Sequence, residues 1–382
     1  MNSKQRVQAA IARQPVDMVP LGFYAVDHDT VERVVGHPTY VRNKIGIQIA
    51  LWEGRRAEVA ESLKKDTVAF YRQIDCADIL LPKEAQILPP ADYEPDPPRR
   101  IAEDRWEDRR GRIYQAVEHA NEIQCVYDPT EGQETFTAAQ FEGPVEVKPP
   151  DPSIFEVFDY VVRELGEERY IAGTTGGVTA LTRLGGTEQG LMMYALEPEV
   201  VLAANRHSVA AQNARDEYYI RGGVPGVLME QDMAGTNAPL ISPKMFREMC
   251  LPFLRERIAH VKRFVPQVIF HNCGNNIPLM EMFIEAGVDC YQSLQTTAGM
   301  EVGWLKERYG DRLAFWGGVP VEALIAGTPE EVRQAVRTAM ERGAPGGGFI
   351  LGPSHSIAKN TRYENFMALL DEFVKLRVRY AG

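Results

Sequence analysis

A chain of 382 residues, 45% of them hydrophobic, can bury one large core or two ordinary ones, and its formal charge of -11 with a pI near 5.3 argues against nucleic acid as a partner. Five widely spaced cysteines, Cys76, Cys125, Cys250, Cys273 and Cys290, follow a start with no apolar leader, a pattern expected of reduced thiols in the cytoplasm. No apolar run reaches the ~18 residues that a spanning helix needs, so the sequence predicts a soluble protein with no membrane partner.

The chain opens with a helical pattern over Ser3 to Ala12, with Val7, Ala10 and Ile11 on one face and Pro15 beyond its end. Val19 to Tyr24 reads as a first strand, a charged amphipathic helix follows between Trp52 and Arg72, and Asp78 to Pro82 reads as a second strand. From about Lys83 to Pro152 the text changes to Pro-rich runs and period-two alternation, as in Arg112 to Val117 and Ile123 to Tyr127. That stretch is expected to form a half-buried antiparallel β-meander inserted after the second strand.

Strand and helix then alternate again. A helix over Ser153 to Leu165 precedes a third strand, Tyr170 to Gly177, whose Gly-rich end has neither P-loop nor dinucleotide spacing. A helix from Glu197 to Arg221 leads to a fourth strand, Gly226 to Asp232, and Ser242-Pro243 starts a helix that reaches about Phe264. Val268-Ile269-Phe270 then runs into His271-Asn272-Cys273-Gly274, with further strands at Asp289 to Gln295, Leu313 to Val319 and Gly348 to His355. Helices over Glu301 to Tyr309, Thr328 to Arg342 and Tyr363 to Tyr380 complete the pattern. Eight strands in this order predict a single α/β domain over residues 1–382, a (β/α)8 TIM-type barrel carrying the 83–152 insertion. A doubly wound sheet is the alternative, but its glycine fingerprint is absent.

In such a barrel the C-terminal strand ends share one mouth, and there the chain places Tyr24, Asp27, Thr174, Thr175, Glu230, Asp232, His271, Cys273, Gln295, Trp316 and His355. Imidazole and thiolate two residues apart suit zinc, which takes N and S ligands at roughly 2.0 to 2.3 Å; a buried Cys beside a hydrogen-bonded His is the structural alternative. Asp232 and His355 are the expected acid and base groups, and Tyr24, Asp27, Thr174, Gln295 and Trp316 the expected substrate contacts. Cys290 begins its strand, at the far end of the barrel, and reads as a core thiol.

Arg6-Val7 through Asp17-Met18-Val19-Pro20, Ser242-Pro243, His271-Asn272-Cys273-Gly274-Asn275, Gly287-Val288-Asp289, Gly327-Thr328-Pro329-Glu330-Glu331-Val332, Gly347-Gly348-Phe349-Ile350-Leu351 and Glu364-Asn365 together resemble the uroporphyrinogen decarboxylase superfamily. True decarboxylases of that group carry an Arg-Gln-Ala-Gly-Arg segment after the first strand to grip tetrapyrrole carboxylates. Here Phe23-Tyr24-Ala25-Val26-Asp27-His28 stands in its place. The His-x-Cys-Gly segment is similar instead to the zinc site of the superfamily's corrinoid-linked methyltransferases. That resemblance implies zinc held by His271 and Cys273, a thiol or other small-molecule acceptor, and cobalamin on a separate corrinoid protein, since no Asp-x-His-x-x-Gly segment is present. Those enzymes place a further Cys after the seventh strand, where this chain has Gly317-Gly318-Val319-Pro320, so Glu230 is the expected third ligand, with Asp232 and then Cys290 behind it. A carboxylate-based lyase is the competing expectation, and monomer or homodimer are both compatible with the sequence.

Overall fold

The computed structural model describes residues 1–82, 87–132, 134–178 and 184–380. Two short strands, β1 (Gly22–Phe23) and β2 (Ile79–Leu80), are followed by β3 (Arg99–Ala102), β4 (Arg105–Glu107), β5 (Ile113–Val117) and β6 (Glu122–Tyr127). After these come β7 (Tyr170–Gly176), β8 (Gly226–Glu230), β9 (Gln267–His271), β10 (Cys290–Gln292), β11 (Ala314–Val319) and β12 (Phe349–Pro353). One parallel sheet takes the order β1-β2-β7-β8-β9-β10-β11-β12. A parallel bridge from Leu21 to Leu351 returns the last strand to the first, so the sheet closes as the predicted eight-stranded barrel. Among the described residues no helix is long and apolar enough to cross a membrane.

Side-chain parity divides the core into two layers. Val227, Met229, Val268 and Phe270 face outward into the layer that packs against the helices, while Leu228, Ile269, Cys290, Ala314 and Ile350 fill the barrel interior with Trp316 and Tyr170. This is why the strands read as continuous apolar runs: both faces are covered. Cys290 is fully buried there, as expected of a core thiol.

The inserted segment forms its own antiparallel sheet in the order β3-β4-β5-β6. The expectation of a half-buried meander changes in one respect: β3 is wholly exposed and β6 nearly so, and Trp106 of β4 is the buried residue, with Trp52 5.3 Å away. The beginning of the expected insertion, at Lys83, lies outside the described residues. The helix expected between Trp52 and Arg72 is found at Arg56–Gln73, and one other predicted helix is divided. Lys44–Trp52 is a separate helix, and the helix expected to run from Ser242 to Phe264 is broken at Cys250 into Pro243–Met249 and Leu251–Val261. Pro252 has no N–H to carry the first helix through and favours a new first turn.

At the end of the barrel away from the mouth, helix Ser3–Ile11 is fastened by Arg6. Its guanidinium bonds Asp17 through Nε at 2.7 Å and Nη2 at 3.0 Å and also reaches Asp78, whose other oxygen accepts the Leu21 amide at 3.0 Å. Asp78 is 1% exposed, so Arg6→Ala leaves a buried carboxylate without its cation and is expected to destabilise the fold by about 3–5 kcal/mol in urea titration. The Arg6 hydrogen bonds hold the Asp17 carboxyl well below its usual range, so that part of the stability is present at neutral pH and lost below about pH 4. The gap between wild type and Arg6→Ala should therefore narrow in acid.

Candidate metal centre

The same parity that buries Leu228, Ile269 and Cys290 turns the residues two places on toward the barrel axis. Register pairs Leu228 with Ile269 and Ile269 with Cys290, and one step higher it pairs Glu230 with His271 and His271 with Gln292. His271, 2% exposed, therefore stands between a carboxylate and an amide. Its Nδ1 is hydrogen-bonded to Gln292 Oε1. An amide oxygen only accepts, so Nδ1 carries a proton, and Nε2 on the other side of the ring lies 3.3 Å from Cys273 Sγ.

Cys273 lies in the turn that follows β9, and the turn is held from several sides. Asp232 Oδ1 accepts the Cys273 amide at 2.7 Å, Gln295 Oε1 accepts the Gly274 amide at 3.0 Å, and Asn276 Nδ2 donates to the Cys273 carbonyl at 2.8 Å. Gly274 has φ of +84°, and a Cβ there would come within 2.4 Å of the Ala234 carbonyl oxygen, which explains the glycine in His-x-Cys-Gly. Burial, reinforced by the Asp232 charge, pushes the Cys273 thiol up to about 12, with the Ser293 hydroxyl at 3.7 Å opposing. The bare thiol is thus a neutral S–H at physiological pH.

His355 follows β12 and is partly exposed, with Nδ1 2.9 Å from Ser356 Oγ. Among the described residues, ligand atoms of His271, Cys273 and His355 all lie within 4.8 Å of one another. Tyr24 covers this group: its ring stacks on His271 at 4.2 Å and meets His355 edge-on at 5.1 Å, and its hydroxyl donates to Glu230. Burial and then the Glu230 charge push the Tyr24 phenol upward, so it remains a donor.

The expected residues separate accordingly. His271 and Cys273 come together as predicted. His355, expected as an acid or base, joins them, and it comes from the loop after the eighth barrel strand, whereas the further ligand of the resembling enzymes was placed after the seventh. Glu230, expected as the third ligand, stands in the row beside His271 with the Tyr24 hydroxyl on it. Asp232 reaches the mouth with a 60% exposed side chain, its Oδ1 3.9 Å from His271 Nε2. Thr174, paired with Leu228, sits on the inward parity of β7. Three expected substrate contacts make bonds within the fold: Gln295 supports the Gly274 turn, Asp27 binds Arg42 and the Lys359 amide, and Trp316 is fully buried with Nε1 on the Gly22 carbonyl at 3.2 Å. Gln292, Ser293 and Ser356 went unread, although Gln292 carried a signal, as a polar residue on the inward parity at the end of an apolar strand.

The sequence model of the family described as uroporphyrinogen decarboxylase (URO-D) matches residues 127–376. The chain belongs to the uroporphyrinogen decarboxylase family. Among curated members, the uroporphyrinogen decarboxylase of Thioalkalivibrio sulfidiphilus is 29% identical over 161 residues, 41% of this chain and 43% of that one. That of Methylibium petroleiphilum is 28% identical over 180 residues, 45% of each. The chain thus spans less than half the length of the family members it matches. A solved methyltransferase from Methanosarcina mazei superposes with a TM-score of 0.65 at 17% identity, over 98% of this chain and 99% of that one, and so shares the fold.

The raised thiol of Cys273 has a direct consequence. In metal-free protein at pH 7.5 an alkylating reagent should modify the exposed Cys125 first and Cys273 at least about tenfold more slowly, read by peptide mass spectrometry. Equal rates would show that Cys273 is not held as a buried neutral thiol.

Proposed function

We propose that this family member is a zinc-dependent methyltransferase that moves a methyl group between a corrinoid carried on a partner protein and a small-molecule donor or thiol acceptor. The observation that carries the reading is the gathering of His271, Cys273 and His355 within 4.8 Å at the barrel mouth. Two imidazoles and a thiol are a donor set that zinc accepts, and three protein ligands leave the fourth position open, as in catalytic rather than structural sites. When bound, zinc supplies Lewis acidity that favours the thiolate form of a thiol at that open position.

The chain's own residues do the rest. Gln292 holds a His271 proton on Nδ1 and turns Nε2 toward Cys273, and Ser356 orients the His355 ring. Glu230 fixes Tyr24 over both imidazoles and screens one side of the site from water. Asp232, anchored by the Cys273 amide yet open to solvent, is the carboxylate placed to take the proton that an incoming thiol gives up. Thr174 and Tyr24 are left to line the substrate.

The names of the curated relatives favour a second reading, a metal-free decarboxylase acting on a small carboxylated substrate through Asp27, Asp232 and His355. The two readings part on Cys273. Under the first, Cys273→Ala abolishes turnover; under the second it is nearly silent while Asp232→Asn is not.

Metal content by mass spectrometry decides the first reading. Wild type purified without chelator or affinity tag should carry about one zinc per chain, and His271→Ala and Cys273→Ala almost none. Absence of zinc from wild type would sink it. Gln292→Leu should leave the fold intact yet weaken zinc about 10-fold to 100-fold in chelator competition, the usual consequence of losing the group that orients a histidine ligand.

A further inference from the structure

We infer that the inserted sheet is a working part of the metal centre: through Arg42 and Asp27 it holds the His355 loop, and Asp27 is a positioning residue for His355. The inference deepens the zinc reading, and its metal arm rests on that reading. Asp27 is the N-cap of helix His28–Val35, where an aspartate ordinarily turns its carboxylate onto its own helix, yet no such bond forms. Its Oδ1 accepts Arg42 Nε at 3.0 Å, and its Oδ2 accepts the Lys359 amide at 2.9 Å. The backbone repeats the connection, with the Asp27 amide donating to Ile357 and the Ile357 amide to Ala25, both at 2.9 Å.

From the loop after β12 the contacts run outward to the insertion. The Lys359 ammonium donates to the Glu118 carbonyl at 3.0 Å and to Glu118 Oε2 at 2.6 Å. Asn121, 2% exposed, donates Nδ2 to the Arg42 carbonyl at 2.5 Å. The turn between β5 and β6, Arg42, Asp27 and Lys359 therefore close a ring, and His355 lies between that ring and the end of β12. Two of the three proposed ligands share one strand and its turn. The third depends on where this loop is held, and a ligand misplaced by about 1 Å no longer completes the set.

The test combines zinc affinity by chelator competition with hydrogen exchange on metal-free protein. The variants are Asp27→Asn and Asn121→Gly, each alone and with His355→Ala; glycine suits the left-handed φ of +50° at Asn121. Both single variants should bind zinc about 10-fold to 100-fold more weakly and exchange faster across His355 to Lys359, while β8 and β9 keep their protection. Adding His355→Ala to either should weaken zinc no further than His355→Ala alone, because both act through that ligand. Wild-type affinity in both variants, or losses that add to that of His355→Ala, would overturn the inference. If wild type holds no zinc, the zinc reading fails and exchange still decides the brace: faster exchange across His355 to Lys359 upholds it, and unchanged exchange overturns it.

Discussion

The parallel register of β8, β9 and β10 is the constraint on which the mouth depends. A strand has a period of two, so a slip of one residue would turn His271 out among the helices and bring Phe270 to the axis. The apolar residues one step below prevent that slip. Leu228, Ile269 and Cys290 pair across the three strands and are fully buried in the interior, so any register that displaces His271 also expels this row from the core. The placement of Glu230 and Gln292 on either side of His271 follows from hydrophobic burial two residues away.

Burial also sets the protonation of the group. Gln292 keeps a proton on His271 Nδ1 with Nε2 turned toward Cys273, and burial keeps Cys273 as a thiol. A neutral Cys273 adds no charge of its own to the buried side of the site, where an unpaired ion would be costly. A divalent cation changes that balance, because it favours the thiolate and makes the nearby carboxylates Glu230 and Asp232 favourable neighbours.

Much of the barrel was legible because each strand is an apolar run between turn residues, and the His-x-Cys-Gly turn was legible because one backbone position admits only glycine. What escaped was tertiary. Alternation in the insertion announced strands but not what would cover them, and β3 and β6 proved to lie open to solvent. Trp316 and Gln292 both stand near strand ends, and only packing distinguishes a fully buried indole from an amide bonded to the His271 ring. His355 could be placed at the mouth from its strand, but its closeness to His271 depends on a loop path that no local pattern encodes.

That loop path follows the weakest joint of the barrel. β7 with β8, β8 with β9 and β11 with β12 are each joined by ladders of five pairs, whereas β1 has two pairs with β2 and meets β12 through the single bridge at Leu21, with one more at Val26 and Ile357 beyond the strands. Where the ladder is short, side chains carry the connection: Arg6 and Asp78 at one end, Asp27 with the Lys359 amide at the other. His271 and Cys273 are mounted on a strand with full ladders on its β8 side, while His355 is mounted beside the seam. The cluster therefore has a rigid half and a half whose position is set by polar contacts, and those contacts extend into the insertion. A sheet that buries little of its own surface is then explained by what it holds in place.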